Sequence, residues 1–204
     1  MISVQADRLS KTYNRRTVFS ELSFSHKEGI LGISGANGSG KSTLLKCLAG
    51  LLRLKSGNVI WKQGPEVLPK DHAKALIGYS APYINLYDEL STSENLEFIL
   101  EVSGKLKSET DIPSVLEYVQ MKEYSNQLFK ELSTGQQQRI KLAAALITKP
   151  LILFLDEPGS NLDEKGHELV ERIVSDQKEK GTLLVLASND PMEINLCDNV
   201  VVLS

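Results

Sequence analysis

Gly35-Ala36-Asn37-Gly38-Ser39-Gly40-Lys41-Ser42 puts a lysine and a hydroxyl directly after closely spaced glycines, with an apolar run, Ile30 to Ser34, before it and a helical pattern after it. The spacing fits the phosphate-binding pattern G-x-x-x-x-G-K-[ST] set between a strand and a helix. Gly38 and Gly40 let the backbone approach a polyanion closely and can take positive φ, so that successive N–H groups point inward. Lys41 then reaches the outer phosphates as a point charge. Ser42 offers a hydroxyl to Mg2+, and the helix that follows turns its positive end toward the phosphates. An ordinary glycine turn before a helix needs neither the lysine nor the serine. The expectation is a site for a nucleoside triphosphate.

A second stretch supplies acids. Leu151-Ile152-Leu153-Phe154-Leu155-Asp156-Glu157 reads as a buried strand with two carboxylates at its carboxyl end, the edge at which open α/β sheets bind ligands. Asp156 suits indirect Mg2+ coordination, and Glu157 suits a base that orients and deprotonates water. Asp-Glu after a strand is common by itself. It gains meaning from a phosphate loop about 115 residues upstream.

The elements that must position these groups follow from pattern. Residues 1 to 29 carry short β-like alternations, Ile2-Ser3-Val4 and Leu22-Ser23-Phe24-Ser25, around a polar turn at Asn14-Arg15-Arg16. Tyr13 reads there as a half-buried strand aromatic. Leu44, Leu45 and Leu48 mark a helix face after the loop, and Gly50 stops it. Gly57 to Trp61 and Leu76 to Tyr79 read as strands. Ser91 with Glu94 forms a capping box that opens a helix through Leu96 and Leu100; Lys105 to Ile112 reads as a charged, solvated loop, and Pro113 to Val119 as a short helix. Leu132 to Arg139 opens a longer helix that ends near Lys149-Pro150. Pro158 to Asp163 is a turn, Leu169 to Val174 a helix face stopped by Gly181, Leu183 to Ala187 a buried strand, Pro191 to Cys197 a short helix and Val200 to Leu203 a last strand. Alternating strands and helices predict a doubly wound α/β core with a parallel sheet.

Composition narrows the classes. The chain has 204 residues, 41% hydrophobic and 24% charged, an ordinary globular make-up that predicts one domain over 1–204. A net charge of −3 gives no electrostatic footprint for nucleic acid. No apolar run is long enough to span a bilayer, and the amino terminus lacks the blocks of a secretion signal. The expected place is the cytoplasm, any membrane role passing through a partner. Cys47 and Cys197 form no C-x-x-C pair and read as two buried structural thiols.

Over nearly its whole length the chain resembles the ATP-binding cassette (ABC) ATPase domain, through Tyr13, GANGSGKS at 35–42, LSTGQ at 132–136, LILFLDE at 151–157 and SNLD at 160–163. LSTGQ discriminates, because other proteins with the same phosphate loop lack it. The resemblance implies an α/β fold: a RecA-like P-loop NTPase core with a parallel sheet, an antiparallel β subdomain and a helical signature subdomain at about 87–137. It also implies ATP and Mg2+ as ligands, with Gly35, Ala36, Asn37, Gly38, Ser39, Gly40, Lys41, Ser42 and Thr43 around the phosphates and Ser42 and Asp156 on the metal. Tyr13 would stack on adenine. Two such domains pair head to tail in that family, so Ser133, Gly135 and Gln136 would contact the partner subunit's ATP and Asp163 would lie at the interface.

Three departures from the family pattern stand out. Thr134 replaces a glycine of the signature. Ser80-Ala81-Pro82-Tyr83 holds no glutamine where the family places one near Mg2+ and the attacking water. Asn189 stands where the family has a switch histidine; it can donate a hydrogen bond but cannot carry the charge or shuttle a proton. None of His26, His72 or His167 takes that place. The expected catalytic set is therefore Glu157, Lys41 and Asn189, in a Mg-ATP hydrolase slowed by the missing groups. The resemblance implies the ATPase subunit of a transporter, in a homo- or heterodimer that drives a separate integral membrane permease from the inner face of the cell membrane. Chain length and the EPGSNLD turn are similar to the haem exporter subunit of cytochrome c maturation. Two alternatives stay open: a degenerate structural or regulatory subunit with little hydrolysis, and a non-transport ABC ATPase.

Overall fold

Two strands of twelve residues open the chain in the computed structural model, which describes residues 1–14, 16–104 and 111–203. β1 (Ile2–Tyr13) pairs antiparallel with β2 (Arg16–Lys27) on one side and with β4 (Ser56–Gln63) on the other, and β5 (Glu66–Val67) closes a four-stranded sheet in the order β2-β1-β4-β5. The short alternations expected here are only the regular parts of these strands. Register shifts between Ala6 and Leu9, Leu9 and Lys11, and Lys11 and Thr12 break the two-residue period, as bulges do, and Arg8 and Glu21 take positive φ of 45° and 52°. Arg15, in the expected turn, lies outside the described residues.

The second sheet is parallel, with β3 (Ile30–Gly35), β6 (Ile77–Ser80), β7 (Ile152–Asp156), β8 (Leu183–Ala187) and β9 (Asn199–Leu203) in the order β6-β7-β8-β3-β9. Successive residues of its central strands enter opposite cores, as the pleat requires. Ile152 and Phe154 join Leu183 and Val185 on one face, whereas Leu153 and Leu155 join Leu184 and Leu186 on the other. Both faces are covered, so these strands read as continuous apolar runs.

The first face packs on α1 (Lys41–Leu48) through Leu44, Leu45 and Leu48 and on the antiparallel sheet through Val4, Leu9 and Trp61. Against the other face lie α5 (Thr134–Leu146) and α6 (Glu164–Glu179), together with α3 (Thr92–Val102) and α4 (Ile112–Tyr118), whose Leu96, Leu100 and Leu116 belong to the same apolar cluster. The capping box read at Ser91 is present: its Oγ accepts from Glu94 N while Glu94 returns a bond to Ser91 N. A second one opens α5 at Ser133 and Gln136. Neither β5 nor α2 (Lys70–Ala75), which buries only Ala73, had a signal in the sequence. The expected charged loop at 105–112 lies, but for Asp111 and Ile112, outside the described residues. α7 (Pro191–Asn195) precedes β9. Among the described residues no helix is long and apolar enough to cross a membrane.

Candidate nucleotide-binding site

Four neighbouring parallel strands bring their carboxyl ends to one edge. β3 ends in the glycine loop, β7 in Asp156 and Glu157, β8 leads to Ser188 and Asn189, and β6 leads to Ala81, Pro82 and Tyr83. Their register keeps these ends level: Ser80 lies beside Leu155, Asp156 beside Ala187, and Ile33 beside Ala187 from the other side. Residues far apart in the chain thus meet at the crevice typical of open α/β sheets.

The loop is open where a ligand would sit. Ala36, Asn37 and Gly38 are exposed, and Gly38 has φ 82° with no atom of the described residues within 4 Å of the place a Cβ would take. Gly40 has φ 104°, and a Cβ there would meet Val18 Cγ1 at 2.3 Å; both position and conformation demand glycine. Lys41 is buried, donates from Nζ to Gly35 O at 2.9 Å and lies 3.3 Å from Glu157 Oε1. Its ammonium bridges the loop and the acidic strand end. Ser39 Oγ is buried without a partner among the described residues, a donor inside the loop that suits a phosphate oxygen.

Asp156 is buried, and its Oδ1 accepts from Ser42 Oγ at 3.0 Å. Burial pushes its carboxyl pKa up, with the hydrogen bonds from Ser42 and Tyr83 pulling it back. A hydroxyl and a carboxylate side by side are hard oxygen donors of the kind Mg2+ takes while retaining waters, so the residues fit that ion. Glu157 N donates to Ala187 O at 2.8 Å, and Ser188 Oγ donates to Glu157 Oε2 at 3.4 Å. Its φ of 46° is left-handed, a strained state of the sort that collects at functional sites. That turn carries its carboxylate away from the strand axis to Lys41.

Asn189 is exposed and donates from Nδ2 to Asn37 Oδ1 at 3.0 Å, which places it at the rim of the glycine loop. Where the sequence holds no glutamine, Tyr83 reaches in: its hydroxyl donates to Asp156 Oδ2 at 2.9 Å. Sequence reasoning missed this residue, because its partner lies 73 positions away and nothing local marks it. Lys141 and Gln138 on α5 were missed for the same reason. Lys141 Nζ donates to Pro82 O at 2.6 Å, with burial lowering its pKa, and Gln138 Nε2 donates to Pro158 O at 3.0 Å.

Ser133, Gly135 and Gln136 form the start of α5. Ser133 and Gln136 bond each other in the capping box, and Ser133 is exposed. A Cβ on Gly135 would come within 3.0 Å of Asn161 O, and Arg139 lies 3.2 Å from Asp163 Oδ1. The signature is thus tied to the 158–163 turn. Thr134, also exposed, occupies the first helical position, a backbone conformation threonine adopts freely, so no glycine is required. Tyr13 ends β1 at 48% exposure with Lys11 Nζ 4.8 Å from its ring centre, more open than a packed strand aromatic. Of the histidines, His26 is buried, His72 exposed and His167 partly buried. Cys47 is buried as expected, but Cys197 is only partly so; burial pushes the two thiols up to about 11 and about 12.

A family model described as ABC transporter matches residues 19–160. The chain is 34% identical over 203 residues to the linearmycin resistance ATP-binding protein LnrL of Bacillus subtilis, covering 97% of this chain and 65% of the relative. It is 31% identical over 198 residues to YybJ, an uncharacterized ABC transporter ATP-binding protein of the same organism, covering 96% and 89%. The chain thus spans about two thirds of the length of the first of these relatives. Its fold is similar to that of a dimeric bacterial ABC transporter cassette, MJ0796, with a TM-score of 0.85 and 26% identity over 98% of this chain and 94% of that one.

Proposed function

The chain belongs to the ABC transporter family, as one of its ATP-binding domains, and from that premise we propose that it binds and hydrolyses ATP to drive a separate membrane permease. Residues 1–204 would act as a single ATPase domain with 87–137 as its helical subdomain. Two copies, or this chain and a related one, would close head to tail around ATP. The observation that carries the reading is the joining of Lys41 to both Gly35 O and Glu157 beside the Ser42–Asp156 pair.

Gly35 to Thr43 would hold the phosphates by backbone N–H groups, with Lys41 turning from Glu157 to the ligand's charge. Tyr13 offers an open ring for adenine. Ser42 and Asp156 would hold Mg2+, which when bound neutralises phosphate charge. Glu157 would accept the proton of the attacking water as the bond to the γ-phosphorus forms and the bond to the bridging oxygen breaks, releasing ADP and phosphate. Asn189 would donate to the γ-phosphate, and the exposed start of α5, with Ser133, Gly135 and Gln136, is available to the partner's ATP. Exposed Tyr87 and Phe98, whose rings meet edge to face at 5.0 Å, lie in the segment that would face the permease at the cytoplasmic surface of the membrane.

Cargo follows from the permease. Haem export in cytochrome c maturation rests on the Glu157–Asp163 turn; co-purification with a permease encoded beside cytochrome c maturation factors supports it, and a permease in another setting refutes it. The missing glutamine and histidine favour a second reading, an ATP-binding subunit with little hydrolysis. Steady-state hydrolysis of Mg-ATP, with the partner present, decides between them. Glu157→Gln is expected to slow turnover by about 10²- to 10⁴-fold while ATP still binds and pairs the domains, seen by light scattering. Background rates in both proteins refute the hydrolase reading, and ATP binding by neither refutes the whole.

A further inference from the structure

Tyr83 is oriented by contacts from several directions. Its hydroxyl is 2.6 Å from the Tyr79 hydroxyl and donates to Asp156 Oδ2 at 2.9 Å. A phenol has one proton, so with that proton on Asp156 the Tyr79 hydroxyl is the donor of the pair. Tyr79 is itself fixed, stacked on Phe154 with ring centres 5.7 Å apart in the register of β6 beside β7. Lys46 of α1 places Nζ 3.7 Å from the centre of the Tyr83 ring. The preceding carbonyl, Pro82 O, is held by Lys141. Yet Tyr83 is 44% exposed, so packing alone does not account for it. Its hydroxyl takes one oxygen of the carboxylate whose other oxygen takes Ser42.

We propose that Tyr83 is a positioning residue of the Mg2+ site: its hydroxyl orients Asp156 toward Ser42 and supplies the polar group that this loop lacks without a glutamine. The inference rests on the nucleotide-binding function proposed above. Groups that hydrogen-bond a metal-binding side chain fix its direction, and losing one typically weakens metal binding by about 10- to 100-fold.

Tyr83→Phe keeps the ring under Lys46 and removes only the hydroxyl. The experiment uses the full chain with Mn2+ as a paramagnetic probe and a non-hydrolysable ATP analogue, reading bound metal by electron paramagnetic resonance. Analogue affinity in excess chelator, without metal, is measured in parallel. The expected result is Mn2+ affinity lower by about 10- to 100-fold with metal-free analogue affinity unchanged. Tyr79→Phe, which removes the donor behind Tyr83, is expected to weaken Mn2+ in the same direction and by less. Unchanged Mn2+ affinity in Tyr83→Phe overturns the inference, and so does an equal loss of analogue binding without metal, which marks a merely structural tyrosine. If the unaltered chain binds no analogue under either condition, it is the nucleotide reading that has failed.

Discussion

Asn189→His tests whether the donor after β8 limits turnover. Asn189 is exposed, and its side chain donates a 3.0 Å hydrogen bond to Asn37, also exposed. A neutral hydrogen bond nets about 0.5–1.5 kcal/mol, so losing it weakens nucleotide binding by at most about tenfold. On the other side, one preorganised donor to charge that develops in a reaction is worth about 10²–10³ in rate. In the proposed role asparagine would already supply a neutral donor, and a charged one is about twice as strong; the gain expected from histidine is therefore about tenfold or more in kcat. An exposed imidazole titrates near pH 6.5. The ratio of variant to unaltered kcat, at saturating Mg-ATP, is expected to exceed one at pH 7.5 and to rise toward pH 6 as the ring takes its proton. A ratio at or below one across that range refutes the reasoning, and a raised but flat ratio refutes the role given to charge.

Gln138→Leu removes the donor to the buried Pro158 carbonyl with little change in volume, and an orphaned buried carbonyl costs about 1–3 kcal/mol; urea unfolding should show that loss, and an unchanged midpoint would contradict it. Burial holds the folded-state pKa of His26 below its ordinary 6.5, with nearby Asp198 pulling the other way. The unfolded chain therefore takes up this proton first, and stability is expected to fall as pH drops through about 6.5. His26→Gln should remove that component, so equal slopes of urea midpoint between pH 7.5 and 5.5 in the two proteins would exclude it.

What the sequence made legible was local. The glycine loop, the acidic end of β7 and the capping box at Ser91 are each specified within a few residues, so spacing alone locates them. The parallel strands were legible because burial on both faces turns them into short apolar runs. β1 and β2 were not, beyond a few residues each, because register shifts move side chains across the sheet and erase the alternation that would have measured their length. α2 offers a single buried residue, Ala73, and so no face to detect. Tyr83 illustrates the other limit: the chemistry that gives it meaning lies on a different strand, and only the pairing of β6 with β7 brings the two together.

The contacts around α5 bear on how far the departures at Pro82 and Asn189 reach. Within two turns of the signature, Gln138 holds the carbonyl of Pro158, Arg139 meets Asp163 and Lys141 holds the carbonyl of Pro82. The first two tie the helix to the turn after Glu157, and the third ties it to the loop whose Tyr83 bonds Asp156. A displacement of the helix start by a partner's nucleotide would therefore strain both loops at once, on either side of the acidic pair. The buried Gln138 contact and the short Lys141 contact resist sliding, since a close-packed interior shifts between discrete arrangements rather than deforming smoothly, whereas the Arg139–Asp163 pair is exposed and contributes little. These three ties are present in a chain that carries Pro82 and Asn189. Both ties to the turn lie just beyond Glu157, whose carboxylate is 3.3 Å from Lys41. The ties of α5 therefore join the signature both to the turn that follows Glu157 and to the loop that carries Tyr83, so that a movement at the helix start would reach the two sides of the acidic pair together.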